Sequence, residues 1–394
     1  MLVEQYRNML SAKSVIRELS EFATARGKEI GYENVFDYSL GNPSVPVPQQ
    51  FNDTIIKLLQ TLDPQTLHGY SPSLGIPSVK EKVAASLERR FGIPYRKEHI
   101  FMTSGCTGAL AHAFRLVTVP GDEILTFAPF FPEYHPYVDL SGAVLKVVPP
   151  QLDTFQINFE KAEEMMTEKV MAVLINTPNN PTGIVYSEET IKRLADLMTR
   201  KSKEYGHPIY LISDEPYREI VFSGVSSPIV SKYYDNTFVC YSFSKSLSIP
   251  GERIGYIAIN PACEDAEVFI NMCGQISRGI GHNCPSSIIQ LAVAENIDMT
   301  ADLSVYETNM NLLYNELVSL GLTVVKPDGT FYIFPKAPCD DAKAFSKKAL
   351  EYDLILVPAD TFGAPGYFRM AYCTPTEKVE RSLEAFRKLI KENY

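Results

Sequence analysis

The 394-residue sequence has few of the patterns that mark metal-binding, disulfide-linked or membrane proteins. Its seven cysteines are scattered and include no CxxC pair, which disfavours a disulfide framework and a zinc site and suits a reducing cytoplasm. Its six histidines are isolated from one another, so no HExxH pair puts two imidazoles on one helical face. We therefore expect a cytoplasmic protein that holds no metal.

Positive charge and long apolar runs are also scarce. The sequence has 37 basic against 47 acidic residues, a net charge of -10, and no basic stripe that could neutralise a phosphate backbone. No apolar run reaches the length that a membrane-spanning helix needs. We expect neither nucleic acid nor membrane as a partner, and 45% hydrophobic residues can fill the cores of about two domains.

Apolar periodicity separates a central region from two flanking segments. Residues 14–28 have helical spacing, and the glycine- and proline-rich stretch 41–48 then breaks the periodicity. From about residue 75 to 260, helical stretches alternate with short apolar runs, which predicts a mostly parallel sheet covered by helices on both faces. The runs are 123–127, 170–175, 208–212, 238–241 and 254–259.

The C-terminal segment predicts a smaller α/β domain that packs with the N-terminal helix. Its predicted elements are a helix at 302–320, a strand at 330–334, a helix from Ala342 and strands near Leu354 and Phe368. We therefore predict an α/β fold in two parts. The large domain would span 46–296, and the small domain would be built from both termini, 1–45 and 297–394.

The residues that follow the strands are informative, because ligands of open α/β sheets bind at the carboxyl ends of the strands. The first candidate is the small-residue turn Thr-Ser-Gly-Cys-Thr-Gly-Ala at 103–109, which leads into a predicted helix at 109–116. Exposed amides and the helix dipole at such a turn bind phosphate. The motif is neither GxxxxGK[ST] nor GxGxxG, and an ordinary turn-to-helix junction has the same composition.

Two further candidates follow the apolar runs 170–175 and 208–212. The first is Asn-Thr-Pro-Asn-Asn-Pro-Thr-Gly at 176–183, whose prolines and glycine fix a rigid turn that would hold Asn180 as a hydrogen-bond donor. The second is Ser-Asp-Glu-Pro-Tyr at 213–217, which puts a carboxylate and a phenol at a strand end. A plain strand-ending turn and a solvated loop carboxylate are the alternative interpretations.

The fourth candidate places a lysine and an arginine eight residues apart between two apolar runs. Lys245 follows Ser-Phe-Ser, and Arg253 lies in Gly-Glu-Arg-Ile-Gly. Poor hydration and a nearby cation both lower the pKa of a lysine, which makes its amine a nucleophile at neutral pH. Most lysines are solvated surface groups, so this one would carry little weight in isolation.

Taken in their order along the chain, these groups resemble those of fold-type I pyridoxal-phosphate enzymes. The resemblance is to the class I/II aminotransferases of the aspartate aminotransferase superfamily, and it covers nearly the whole chain. Its specific part is the combination of Asn-Pro-Thr-Gly, Ser-x-Ser-Lys and the following Gly-x-Arg. Coincidence is a poor explanation for the complete set.

The resemblance implies a role for each matching residue. Lys245 would hold pyridoxal 5'-phosphate as a Schiff base and later act as the base that moves the substrate proton. Asp214 would pair with the protonated pyridine nitrogen and so keep the ring an electron sink. Asn180 and Tyr217 would hydrogen-bond the phenolic oxygen of the ring, and Phe131 would stack on it where Tyr or Trp is usual.

Further roles concern the cofactor phosphate, the substrate and a second subunit. The implied phosphate ligands are Gly105, Cys106 through its backbone amide, Thr107, Ser242, Arg253 and, from the other subunit, Tyr70. The implied substrate contacts are Gly41, Asn180 and Arg369 at the α-carboxylate, and Arg278 at a distal carboxylate. Such a site predicts a homodimer with shared active sites and an acidic amino donor, aspartate or glutamate. A surface role for Arg278 is an equal alternative.

Other functions remain open from the sequence. A pyridoxal-phosphate C-S β-lyase would use the same lysine and the same carbanion chemistry. A noncatalytic aminotransferase-like ligand sensor would be expected to carry an additional basic helix-turn-helix segment. A Schiff-base aldolase on a TIM barrel would leave Asn180, Asp214 and Arg253 without a purpose. We expect an aminotransferase that passes an amino group from an amino acid to a 2-oxo acid.

Overall fold

The computed structural model describes residues 14–394, which divide into two compact units. The larger unit consists of Val45–Asn180 and Ile184–Leu303. The smaller unit consists of 14–44, Pro181–Gly183 and Ser304–Tyr394.

A seven-stranded sheet forms the centre of the larger unit. Its strands are β2 (Ile100–Thr103), β3 (Glu123–Phe127), β4 (Val144–Val148), β5 (Val170–Asn176), β6 (Tyr210–Asp214), β7 (Thr237–Ser242) and β8 (Gly255–Ile259). The strand order is β2-β8-β7-β6-β5-β3-β4, and only β8 runs antiparallel to its neighbours. Most strand residues are buried, as expected for a mostly parallel sheet that is covered on both faces.

Helices cover this sheet on both faces. They are α2 (Gln49–Thr61), α3 (Pro64–His68), α4 (Pro77–Phe91), α5 (Gly105–Val117), α6 (Tyr134–Asp139), α7 (Phe159–Met165), α8 (Glu188–Tyr205), α9 (Phe243–Ser246), α10 (Ala266–Ile280) and α11 (Ser287–Glu295), with 3-10 helices at Lys97–His99, Val230–Lys232 and Pro250–Glu252. Neighbouring strand residues face opposite sides. Ile124 belongs to one core cluster with Phe114 of α5, whereas Leu125 belongs to another with Leu194 of α8.

The smaller unit combines short strands with long helices. Its elements are α1 (Val15–Ile30), β1 (Phe36–Asp37), α12 (Ser304–Ser319), β9 (Tyr332–Ile333), α13 (Ala342–Ala349), β10 (Leu354–Ile355), β11 (Val357–Pro358), β12 (Phe368–Ala371) and α14 (Thr376–Asn393), with 3-10 helices at Tyr32–Asn34, Leu350–Tyr352 and Asp360–Phe362. Strand β1 pairs in parallel with β10, and β12 lies between β11 and β9 in an antiparallel sheet. Helix α1 ends at Gly31, whose φ of 90° favours glycine.

The predicted α/β class and the sheet covered on both faces are confirmed. The five predicted strands all occur, with ends that shift by up to two residues. Strands β2 and β4 were not predicted, because β2 is short and β4 contains the polar Lys146. The predicted start of α5 at residue 109 was wrong, since the helix begins at Gly105. Within residues 14–394, no helix is both long and apolar enough to cross a membrane.

Because the sheet is buried on both faces, two leucine truncations in the larger unit should lower the free energy of unfolding by unequal amounts. Leu125 is 0% exposed in the core, whereas Leu140 is 48% exposed. Leu125→Ala should lower the free energy of unfolding by about 2–5 kcal/mol, because it removes buried methyl groups and leaves a cavity. The matched Leu140→Ala should change it by less than about 0.5 kcal/mol. Urea unfolding of both variants measures this, and equal effects would contradict the layered core.

Candidate active site

The carboxyl ends of the central strands bring polar residues together in the larger unit. The parallel register places Asn176 of β5 beside Asp214 of β6, and Asp214 beside Cys240 of β7. Helix α5 directly follows β2 and presents Cys106 to Asp214. The strand ends and the start of α5 therefore surround one carboxylate.

Asp214 is buried, with 5% of its surface exposed, and receives donors on all of its oxygen atoms. The Cys106 thiol donates to Oδ1 over 2.8 Å, and the Tyr134 hydroxyl donates to Oδ2 over 2.6 Å. The Asn176 side-chain amide donates to the Asp214 main-chain carbonyl over 2.8 Å. These contacts fix both the carboxylate and its peptide.

Burial dominates the electrostatics of this carboxylate. Loss of water raises the pKa of Asp214 to about 6, although the bonds from Cys106 and Tyr134 oppose the rise. The neighbouring Glu215 adds a smaller upward contribution. A carboxylate held in this way would gain most from a cationic partner that replaces the lost water.

The N-terminus of α5 forms a narrow cradle. Its first amides lack partners within the helix and so suit an anion. Gly105 has φ +75°, and a Cβ on it would lie 2.9 Å from Nη2 of Arg253. A Cβ on Gly255 would collide with the Tyr241 carbonyl and lie 3.0 Å from the Gly105 carbonyl carbon. Both glycines are therefore needed for the close approach of β7, β8 and α5.

Lys245 lies in the short helix α9, directly after β7. Lys245 is half-buried, whereas Ser242 at the end of β7 and Ser244 are buried. The next residue, Ser246, is held by the Tyr241 hydroxyl, 2.9 Å from its Oγ, and by the Ala301 amide, 2.7 Å from its carbonyl oxygen. These bonds fix the backbone that carries the lysine.

The predicted asparagine turn is anchored to the strand that precedes it. The Asn180 amide donates to Oδ1 of Asn176 over 2.7 Å, and the same Asn176 side chain reaches Asp214. Asn180 is buried, as is Tyr217 on the loop after β6. Next to Tyr217, the buried Arg218 pairs with Glu215 over 2.7 Å.

Phe131 and Tyr134 form the aromatic side of the cluster. Phe131 is half-buried, and its ring meets the Tyr134 ring edge to face, with centroids 5.7 Å apart. Tyr134 belongs to α6 and is buried. Tyr134 thus contacts the Phe131 ring and also donates to the Asp214 carboxylate.

Four predicted site residues are exposed in this chain. Tyr70 is 96% exposed, and Thr107 is exposed on the first turn of α5. Arg253 is exposed and donates to the Pro250 carbonyl over 3.0 Å, and Arg278 is exposed near the end of α10, where it donates to Gln275 over 3.2 Å. Their predicted roles stay predictions. For Tyr70 the prediction itself assigned a second subunit, and this is compatible with its exposure. For Arg278 the prediction left a surface role as an equal alternative.

Gly41 and Arg369 belong to the smaller unit, where they have well-defined surroundings. Arg369 is 2% exposed, donates to the Ser39 carbonyl, and lies over the Tyr332 ring with 4.8 Å from Cζ to the centroid. A Cβ on Gly41 would collide with the Tyr332 hydroxyl. Tyr332 therefore joins the two residues that were predicted for the α-carboxylate.

Sequence reasoning missed several residues that shape this site. It gave no role to Tyr134, to Asn176 or to the Glu215–Arg218 pair, although all four lie within or near the motifs. Asn176 could have been found from its position, because it ends a strand beside the strand of Asp214. Tyr134 had only one weak signal, its place three residues after Phe131.

The donor set fits a phosphorylated pyridine aldehyde. The cradle at Gly105 and Arg253 suits a phosphate, and the buried Asp214 suits a protonated ring nitrogen. Lys245 supplies an amine from α9, directly after the strand that pairs with the strand of Asp214, and Phe131 supplies an aromatic face. No group of three or more potential metal ligands occurs in residues 14–394.

Comparisons with known proteins identify the family of the chain. The model of the family "aminotransferase class I and II" matches residues 33–386. A crystal structure of an amino transferase from Eubacterium rectale has a TM-score of 0.96 and 44% identity, with 100% of both chains covered. The aspartate aminotransferase of Thermotoga maritima is 29% identical, over 89% of this chain and 90% of its own. The aromatic-amino-acid aminotransferase 2 of Thermococcus litoralis is 29% identical, over 96% of both.

The chain belongs to the class I and II aminotransferase family. It is an aminotransferase that depends on pyridoxal 5'-phosphate, as predicted from its motifs.

The buried carboxylate predicts an unusual pH dependence of stability in the cofactor-free protein. The pKa of Asp214 is about 6 in the folded chain and about 4 when unfolded, so the folded state holds its proton more tightly. Stability should therefore fall as pH rises from about 4 through about 6, by about 3 kcal/mol in total. Asp214→Asn, which does not titrate, should lose this component and be more stable than the parent at pH 8.

Urea unfolding of the cofactor-free parent and Asp214→Asn across this pH range checks the prediction. Cys106, Tyr134 and the backbone are unchanged in both proteins, so the difference between the two curves isolates the carboxylate. Parallel curves would show that Asp214 has an ordinary pKa.

Proposed function

We propose that this aminotransferase takes its amino group from an acidic amino acid, aspartate or glutamate, and passes it to a 2-oxo acid. Support comes from the similarity to proteins named aspartate aminotransferases and from the position of Arg278 in the sequence. A guanidinium is the right shape for a second carboxylate. The similarity to an aromatic-amino-acid aminotransferase makes aromatic donors the comparison class.

Lys245 is the proposed catalytic base. The observation that carries this assignment is its place on α9, directly after the strand beside Asp214. When bound, pyridoxal phosphate supplies an electron-withdrawing ring that stabilises negative charge at the substrate Cα. Lys245 Nζ would take the proton from Cα.

Several residues would hold and tune the cofactor. Asp214 would accept the ring N–H, Asn180 and Tyr217 would bond the phenolic oxygen, and Phe131 would stack on the ring. The proposed phosphate ligands are Gly105, Cys106 through its amide, Thr107, Ser242 and Arg253, with Tyr70 from a second subunit. The helix start and the guanidinium both favour a dianion.

Arg369 and Gly41 are the proposed α-carboxylate site, together with Asn180. The centroids of the Tyr332 and Phe362 rings lie 4.8 and 5.2 Å from Cζ of Arg369, and both contacts help to hold the guanidinium in place. We propose 46–296 as the cofactor domain and 1–45 with 297–394 as the small domain. We further propose a cytoplasmic homodimer in which Tyr70 and Arg278 reach the site of the other subunit.

The first test is the visible spectrum of the holoenzyme during addition of single amino acids. Aspartate or glutamate should convert the lysine-bound cofactor band to the amine form, with release of the matching 2-oxo acid. Lys245→Ala should bind cofactor without the lysine-bound band and lower the rate by about 10²–10⁴-fold or more, because the base is gone. Release of ammonia and pyruvate would identify a β-lyase instead, and conversion by aromatic donors alone would contradict the acidic substrate.

The second test uses subunit complementation. Lys245→Ala removes the base, and Arg278→Ala should remove affinity for acidic donors, so each homodimer should be nearly inactive with aspartate. Hybrid dimers would contain one site with both lesions and one intact site. Random mixing should therefore restore about a quarter of the parent activity. No recovery in verified hybrid dimers would place Arg278 in the site of its own subunit.

A further inference from the structure

The Cys106 thiol and the Tyr134 hydroxyl have no place in the functions assigned so far. Cys106 was assigned to the phosphate through its amide alone, and Tyr134 was assigned no role. Yet each side chain donates to a different oxygen of Asp214, at 2.8 and 2.6 Å. They come from α5 and α6, two helices that are separate in sequence and meet at this carboxylate.

We propose that Cys106 and Tyr134 are positioning residues that hold Asp214 ionised and oriented, and thereby set how strongly the enzyme binds the cofactor through its ring nitrogen. The inference rests on the proposed pairing of Asp214 with that nitrogen. Neither side chain needs to touch the substrate for this role.

Both donors keep their protons in this site. Burial first, and then the charge of Asp214, raise the pKa of the Cys106 thiol and of the Tyr134 phenol well above their ordinary values. Cys106 is therefore a protonated thiol and a poor nucleophile, which argues for a donor role and against a reactive one. Tyr134 is a permanent O–H donor for the same reason.

The thiol has two acceptors within reach but only one proton. Its sulfur lies 2.8 Å from Oδ1 of Asp214 and 3.2 Å from the carbonyl oxygen of Cys240. The charged and closer carboxylate is the stronger acceptor while Asp214 is ionised. Protonation of Asp214 removes that advantage, so the carbonyl of Cys240 can then accept the hydrogen bond from the thiol.

Hydrogen bonds to the charged form favour ionisation, and burial opposes it. Removing either donor should therefore raise the proton affinity of Asp214 further. The other titratable groups that face Asp214 cannot replace the lost donor with a positive charge. Tyr137 and Cys240 are neutral, and Glu215 forms an ion pair with Arg218. The ring nitrogen would meet a protonated acid instead of a carboxylate.

The decisive experiment compares two ligands, pyridoxal 5'-phosphate and its analogue with carbon in place of the ring nitrogen. Equilibrium dialysis with the cofactor-free protein gives both dissociation constants for Cys106→Ala, Cys106→Ser, Tyr134→Phe and Asp214→Asn. The matched controls are Cys273→Ala, a buried cysteine in the same core cluster, and Tyr234→Phe, a buried tyrosine that donates to the Ile209 carbonyl.

Tyr134→Phe should weaken binding of the natural cofactor by about tenfold, and Cys106→Ala by about threefold, because each loses a hydrogen bond to a charged group. Cys106→Ser retains an O–H donor and should stay closer to the parent. All these variants should bind the carbon analogue within about twofold of the parent, since its ring gives Asp214 nothing to pair with. The pH below which natural cofactor binding weakens should move upward in Tyr134→Phe.

Three results would overturn the proposal. Equal weakening of both ligands would show that Cys106 and Tyr134 only maintain packing. Unchanged binding of both ligands would show that their bonds to Asp214 have no effect on the cofactor. Effects in Cys273→Ala and Tyr234→Phe as large as those in the test variants would show that any buried truncation suffices. Asp214→Asn tests the assumption that Asp214 pairs with the ring nitrogen. If this variant changes the dissociation constants of both ligands by the same factor, that pairing is itself wrong.

Discussion

The site depends on the burial of one carboxylate, that of Asp214, away from water. Asp214 ends the central strand β6 with almost no exposed surface, and the cost of this burial raises its pKa to about 6. Two neutral donors and one main-chain bond keep it in place. In the contacts described, the donors to the carboxylate are neutral. A protonated pyridine nitrogen would supply a positive charge, so part of the free-energy cost of burying the carboxylate would be recovered when the cofactor binds.

The fold delivers this arrangement through the sheet. Parallel strands put Asn176, Asp214 and Cys240 in neighbouring positions, so the donor to the Asp214 carbonyl comes from the end of an adjacent strand. The two donors to its side chain come from α5 and α6. The close approach of α5 to β8 at Gly105 and Gly255 then sets the helix start beside Arg253. The start of α5, which is the proposed phosphate site, and one donor to the carboxylate thus belong to the same helix, since Gly105 and Cys106 are consecutive residues.

Sequence patterns predicted the elements that are long, apolar and regular. Strand β3 was found with its exact ends because Gly-Asp and Ala-Pro bound a continuous apolar run. Strand β2 was not predicted, because four residues give too little periodicity. The start of α5 was predicted too late, because Gly105 and Thr107 are poor helix formers. The side-chain bonds of Cys106 and Tyr134 could not be predicted, because they depend on how two helices pack over one strand end.

The motifs identified the family and its cofactor, but not the supporting residues around Asp214. Motif residues are recognisable because their chemistry recurs at fixed spacing, whereas supporting donors need only reach the same atom from any element. Tyr134 reaches it from α6 and Asn176 from β5. Physical position, not sequence spacing, unites them.

The central claim is that Lys245 carries the cofactor at this strand edge. Borohydride reduction of the holoenzyme fixes the cofactor to the lysine that holds it, and peptide mass spectrometry then locates the modified residue. Modification of Lys245 alone, abolished when a substrate amino acid is added before reduction, is the predicted result. A stable label on another lysine, or none on Lys245, would contradict the account.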